Sequence, residues 1–369
     1  MRRWSLPPVK FVILVVSLLA GWGAIRSTPA NGQQKPKPSL EAEFFKLCDA
    51  ACRELNTPAR RVPFYQDSYA VRALAVAHDL GGNPKYLETC RAWSDRMIAF
   101  QEKMTPNGAY YMNYGRKPGE DRGEWYVADS SSIALGVLAT AVRCKDRAEK
   151  GRYRKSAESF AQLVIDNYVR RSGGVTDGFW SQFDGEWWCS TGIFGSLALV
   201  LYEETGDERY RKVGLGTLDW LNRLEIRKAQ HISFDEAAPT VIMYVWEAYS
   251  AGWPYLEAES DVKKGALAQM AVALDWMAAN QVGRGGSGRW NYSSQWGSKL
   301  GGLPFHMSVF ARHVPGHQEA AAAADRELAH LSDLLFRSGT PSLSQLAAFS
   351  MMSYAERLSP GAMYRRSAR

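Results

Sequence analysis

Histidine is scarce, with six residues in 369, and none stands at a zinc-like spacing from a cysteine. No CxxC pair occurs either. The five cysteines (48, 52, 90, 144 and 189) are odd in number and thinly spread, which excludes a disulfide-stapled scaffold. Cys48 and Cys52 stand four apart on one helix face and read as buried thiols. There is no run of Lys and Arg that would make a nucleic-acid surface. The net charge of +7 includes Arg2, Arg3, Lys10 and Arg26, so the chain beyond them is only mildly basic. Long strand-like alternations of apolar and polar residues are also rare, which argues against a sheet-based fold.

What is present begins with an export-like segment. Arg2, Arg3 and Lys10 precede an uncharged run from Phe11 to Ile25, and "TPA" at 28–30 offers a small-residue cleavage site. Residues 1–30 are therefore expected to be a signal peptide, placing the mature chain in the periplasm or outside the cell. The alternative is an uncleaved membrane anchor at 11–25, the one route by which a membrane would be a partner. Residues 31–38 read as a flexible linker, 39–358 as one domain, and 359–369 as a basic tail.

Helical periodicity dominates the domain. Twelve helices are expected, at 39–55, 67–80, 84–104, 128–144, 152–170, 190–206, 207–224, 238–252, 259–281, 304–314, 318–337 and 341–358. Those starting near 67, 128, 190, 238, 304 and 341 are rich in Ala, Ser, Gly, Val and Leu and carry few charges. Helices apolar on all sides belong in a buried layer, and the amphipathic ones between them belong outside it. The links into the poor-in-charge helices are mostly long (105–127, 171–189, 225–237, 282–303), and the links out of them are mostly short. The fold class expected is thus all-α: an (α/α)6 toroid of six inner and six outer helices, with the long loops on one face.

Those loops concentrate aromatic and polar residues. "GEW" recurs at 123–125 and 185–187, each time just before an apolar helix. Trp125, Trp187, Trp188, Trp290, Tyr110 and Tyr111 suit a cleft for sugars, where rings stack on apolar sugar faces and polar groups bond hydroxyls. Glu124, Asp184, Glu186, His231 and Asp235 are further candidate contacts. Asp67 and Asp129 lie 62 residues apart, each at the start of an inner helix, and the next position in that register is Thr191. Two carboxyls at the ends of neighbouring helices suit glycoside chemistry, which needs one protonated and one ionised acid about 5–10 Å apart. An aspartate in a helix's first turn is equally a common cap.

The inner and outer alternation, the "TGDERY" turn at 205–210 and "PNGAYY" at 106–111 resemble the six-hairpin glycosidase superfamily, nearest to the unsaturated glucuronyl and rhamnogalacturonyl hydrolases. In those hydrolases two aspartates begin successive inner helices. One acts as general acid/base, protonating the C4=C5 bond of an unsaturated uronic acid and activating water for C5. The resemblance implies those roles for Asp129 and Asp67. The aromatic-Gly-Arg-Gly-Asn-Gly-Trp segment of the rhamnogalacturonyl type is replaced here by "FDGEWWCSTGIFG".

The expected function is that of an exported carbohydrate-active enzyme, a glycoside hydrolase on oligo- or polysaccharide, with unsaturated uronates as one candidate substrate. No cofactor or metal is called for. A polysaccharide lyase or sugar epimerase of the same fold is the alternative, as is a non-catalytic glycan-binding toroid. Terpene cyclases of this shape need a DxDD acid, which is absent.

Overall fold

The computed structural model describes residues 39–58, 60–113, 125–178, 185–224, 244–282, 289–290 and 301–364, with backbone only at 276–282, 289–290 and 318. Twelve α-helices fall within these residues. They are α1 (Leu40–Glu54), α2 (Phe64–Gly81), α3 (Pro84–Gln101), α4 (Val127–Ala141), α5 (Arg147–Asn167), α6 (Trp188–Thr205), α7 (Glu208–Asn222), α8 (Trp246–Gly252), α9 (Asp261–Asn280), α10 (Leu303–Ala311), α11 (Gln318–Leu335) and α12 (Gln345–Leu358). One two-residue antiparallel pair, β1 (Gln281–Val282) with β2 (Arg289–Trp290), follows α9. The expected signal, linker and membrane-anchor segments lie outside the described residues, as does the expected start of the fourth inner helix at 238.

The even-numbered helices form a closed ring. α2 packs on α4, α4 on α6, α6 on α8, α8 on α10, α10 on α12, and α12 returns to α2. The odd-numbered helices lie outside, each against the inner helices beside it, and α1 closes the circle against α12 and α2. This is the (α/α)6 toroid expected from the sequence.

Composition explains the layering. In α4, 14 of the 15 residues are buried. Burying each of its larger aliphatic side chains stabilises the fold by about 1.5–3 kcal/mol. Several of its buried hydroxyls are satisfied within the helix: Ser131 donates to the Val127 carbonyl at 2.6 Å and Thr140 to that of Gly136 at 3.2 Å. Small residues let the inner helices approach closely. A Cβ on Gly192 of α6 would stand 2.3 Å from the Tyr244 carbonyl, so a side chain there would push the foot of α8 away.

Helix starts differ between the first three inner helices and the outer helices beside them. Four outer helices are capped by side chains: Ser39, Asn83, Asp146 and Asp207 accept from the amides of Ala42, Lys85, Glu149 and Arg209. The inner helices α2, α4 and α6 start at Pro63, Tyr126 and Trp187 without a side-chain cap bond. Asp67 and Asp129 are therefore not the cap residues of their helices. They sit within the first turn.

A buried polar knot crosses the ring. Glu247 of α8 pairs with Arg72 of α2, and it accepts from Tyr69 at 3.2 Å and Tyr364 at 2.6 Å. Tyr364 belongs to the segment read as a basic tail. Ala362–Tyr364 instead makes a 3-10 turn whose Ala362 and Met363 are buried. All five cysteines are free, four of them buried.

Candidate active site

Asp129 is the one residue of α4 that is not buried. A helix built almost wholly of apolar and small residues thus exposes a single carboxylate, in its first turn. Tyr244, at the foot of α8, donates to Asp129 Oδ1 over a long 3.4 Å. Tyr65 of α2 faces the same carboxylate. Burial first, and then the negative charge of Asp129, push the Tyr65 phenol up to about 12. Its hydroxyl accepts from Gln66 and from Gln345 of α12, each at 3.3 Å. Side chains from α2, α4, α12 and the approach to α8 therefore converge at one end of the ring, where the inner helices begin.

Asp177 joins this group from the loop before α6. Two isolated bridges hold its segment, Tyr126 with Gly178 and Thr176 with Glu186. The Asp177 carbonyl accepts the Val127 amide at 3.2 Å, at the very start of α4. Its carboxyl accepts from Ser190 of α6 at 2.6 Å. Burial pushes this carboxyl up to about 7; the Ser190 bond opposes the rise and the charge of Asp129 adds to it. Sequence reading passed Asp177 over because it lies outside the 62-residue register. Its one local signal was the Asp-Gly turn in "VTDGFW". Tyr65, Tyr244 and Gln345 carry no signal in a linear reading, since each gains meaning only from its neighbours.

Asp67 has a different environment. It has no exposed surface, and Arg60 Nε and Nη2 bond its Oδ1 at 2.8 and 2.5 Å. Burial raises its pKa against the opposing pull of Arg60. The described partners of Asp67 are thus Arg60 and, at longer range, Arg96 and Glu54. Those of Asp129 are Tyr244, Tyr65 and Asp177.

Most of the aromatics expected to line the cleft are spent on packing. Tyr110 is wholly buried, and its hydroxyl shares a 2.7 Å bond with Ser156 of α5. Tyr111 is buried against Phe64 and Phe100, with ring centroids 5.9 and 5.1 Å away. Trp125 is 2% exposed, lies edge-on to Tyr168 at 5.3 Å and covers Gly178. Trp188 is buried, 5.1 Å from the Trp187 ring. These four rings pin the long loops to the core and offer no free face to a sugar. Glu186 is turned outward and accepts from Trp220 of α7 at 2.8 Å. Trp187 stays half-buried. Glu124, Asp184, His231 and Asp235 lie outside the described residues, as does the side chain of Trp290. His306 is fully buried against Ser250 at 3.2 Å and is held neutral, its pKa lowered to about 3 by burial and by Arg72.

Two surface depressions, of about 320 and 350 Å³, lie among outer-layer residues such as Arg152, Ser159 and Tyr210 and contain none of the converging side chains.

No protein-family model and no curated protein matches the chain. Solved structures do. An unsaturated glucuronyl hydrolase from Bacillus sp. GL1, responsible for glycosaminoglycan degradation, superposes with a TM-score of 0.62 at 14% identity, over 90% of this chain and 100% of that one. An α-1,6-mannanase from Salegentibacter sp. HEL1_6, solved as an inactive variant with α-1,6-mannotriose, gives 0.62 at 13% identity, over 87% and 99%. A polysaccharide lyase gives 0.56 at 14% identity, over 87% and 98%. At such identities the likeness is one of fold: the chain shares the helical toroid of these structures.

Proposed function

We propose that the chain is a carbohydrate-active enzyme that hydrolyses a glycosidic linkage in an oligo- or polysaccharide, with Asp129 as a general acid/base. The observation that carries this reading is the single accessible carboxylate on an otherwise buried inner helix, set where α2, α12 and the approach to α8 bring tyrosine and glutamine side chains together. Carboxylates held among phenols and amides suit proton transfer at a sugar, while the amides and hydroxyls suit its oxygens. The toroid relatives named for glycan hydrolysis support the substrate class. Export through residues 1–30 completes the reading.

A second reading is favoured by the register of Asp67 with Asp129: hydration of the double bond in an unsaturated uronic acid, with Asp129 acting alone at C4 and on water. Both readings face the same experiment. The purified protein is incubated with neutral and uronate oligosaccharides, saturated and unsaturated, beside Asp129→Asn. New reducing ends from saturated substrates support direct hydrolysis. Fading of the conjugated uronate's ultraviolet absorbance supports hydration, and a rise in it indicates elimination and overturns both. Unchanged turnover in Asp129→Asn, with folding intact by circular dichroism, removes Asp129 from the chemistry.

A further inference from the structure

We propose that Asp177 is the partner of Asp129, giving its proton to the leaving oxygen of the sugar while Asp129 takes one from water. The inference rests on the direct-hydrolysis reading above and deepens it, because it names a partner carboxyl for Asp129 other than the expected Asp67.

Placement comes first. The Asp177 carbonyl is bonded to the Val127 amide, and Gly178 bridges Tyr126, so the backbone of Asp177 is tied to the turn that carries Asp129 two residues later. Its segment is held from the other side as well. Val175 donates to Thr191 Oγ1 at 2.8 Å, and the Trp187 amide donates to the Val175 carbonyl at 2.8 Å. Ser190 then orients the carboxyl through a 2.6 Å bond to Oδ1. A group fixed by its main chain on both sides and by one hydroxyl has the preorganisation that proton transfer requires.

Charge comes second. Among the described residues no lysine or arginine is bonded to Asp177, whereas Asp67 has Arg60 on one oxygen and no exposed surface. Asp67 cannot reach a substrate without leaving that arginine. Among the described residues, the phenols Tyr65 on α2 and Tyr244 before α8 are titratable groups beside the Asp129–Asp177 pair; Ser190 on α6 and Gln345 on α12 do not titrate. Burial beside a second carboxylate is the arrangement that leaves one acid protonated near neutral pH and its neighbour ionised.

The step balances. The bond from the anomeric carbon to the glycosidic oxygen breaks with its electron pair on oxygen, and that oxygen takes the proton of Asp177. A water oxygen bonds the anomeric carbon and yields one proton to Asp129. Solvent then returns a proton to Asp177 and removes one from Asp129.

Leaving-group dependence tests the assignment, since an acid is dispensable when the leaving group is already good. Asp177→Asn is expected to lose about 100-fold or more in kcat on oligosaccharide, yet to stay within a few-fold of wild type on a dinitrophenyl glycoside. Asp129→Asn is expected to lose both. Full oligosaccharide turnover in Asp177→Asn beside a dead Asp129→Asn overturns this inference and leaves the hydrolytic reading standing. Unchanged Asp129→Asn overturns that reading instead. A second measurement needs no turnover: the infrared band of a protonated carboxyl near neutral pH should vanish in Asp177→Asn and titrate lower in Asp129→Asn. A band unchanged in Asp177→Asn overturns the proposal.

Discussion

Thr191 Oγ1 accepts the amide of Val175 at 2.8 Å and donates to the Trp187 carbonyl at 2.8 Å. Thr191 stands where the 62-residue register places an acid in the two preceding copies. The register's third member therefore holds the segment that carries Asp177 and offers no carboxyl of its own. Thr191→Val removes a buried hydroxyl and leaves the Val175 amide without its partner. Stability should fall by about 1–3 kcal/mol, and kcat should fall more than KM changes, because Asp177 loses its support. Thr191→Ser should restore both. Urea unfolding and steady-state kinetics check this, and equal loss in the Ser and Val variants would argue that the methyl, not the hydroxyl, matters.

Gly178 has φ +86°, and a Cβ there would stand 2.8 Å from the Trp125 ring. Gly178→Ala meets both a left-handed backbone and a fixed indole. The variant should lose about 1–3 kcal/mol and its Asp177-dependent turnover together. Trp125→Phe alone should not relieve the backbone strain, so the double variant should remain less stable than Trp125→Phe. Thermal melts of the three proteins decide it.

His306 and Asp177 give the pH dependence of stability opposite slopes. The folded His306 titrates near 3, below the usual imidazole value of 6.5. Its contribution is present above that value and is lost as pH falls toward 3. Asp177 is raised from 3.8 to about 7. Its contribution is present below 3.8 and is lost as pH rises through about 7. Relative to wild type, Asp177→Asn should therefore gain stability steadily between about pH 4 and pH 7. His306→Gln should flatten the loss on the acid side. Denaturant midpoints across that range test both signs, and a constant difference for Asp177→Asn contradicts the raised carboxyl.

The Arg72–Glu247 pair lies wholly inside the ring. Breaking such a pair from one side leaves an uncompensated buried charge. Arg72→Met should cost about 3–5 kcal/mol, and the double change with Glu247→Leu should cost less than that single one. Tyr364→Phe removes one bond to a charged acceptor and should cost about 1.5–3 kcal/mol. Chemical unfolding of wild type, Arg72→Met, Glu247→Leu and the double variant measures the coupling, and strict additivity of the two ion-pair changes would show that the partners do not compensate each other.

Much of the architecture was legible along the chain. Runs of Ala, Ser, Gly and Leu with few charges, separated by amphipathic runs, can only be layered one way, since the uncharged helices have no face that prefers water. The candidate site was legible in part. Asp129 was visible as an acid in the first turn of such a helix, because a charge there must be either capping or exposed. The aromatics misled for a physical reason: Tyr110, Trp125 and Trp188 are loop residues by sequence, yet each rests on a core surface that a long loop must cover. Nothing in a linear reading separates a ring that holds a loop down from one that faces a ligand.

The sequence by itself determined the toroid, through helical period and composition, and with it the face on which the inner helices begin. Which carboxyls share that face was decided only in three dimensions. Asp67 and Asp129 are equivalent in register, but Arg60 occupies one and Tyr65, Tyr244 and Asp177 surround the other. The reason is that ring closure brings residues more than a hundred positions apart into contact. The protonation of a carboxyl depends on the burial and charges around it, and those belong to the packed ring rather than to any stretch of the chain.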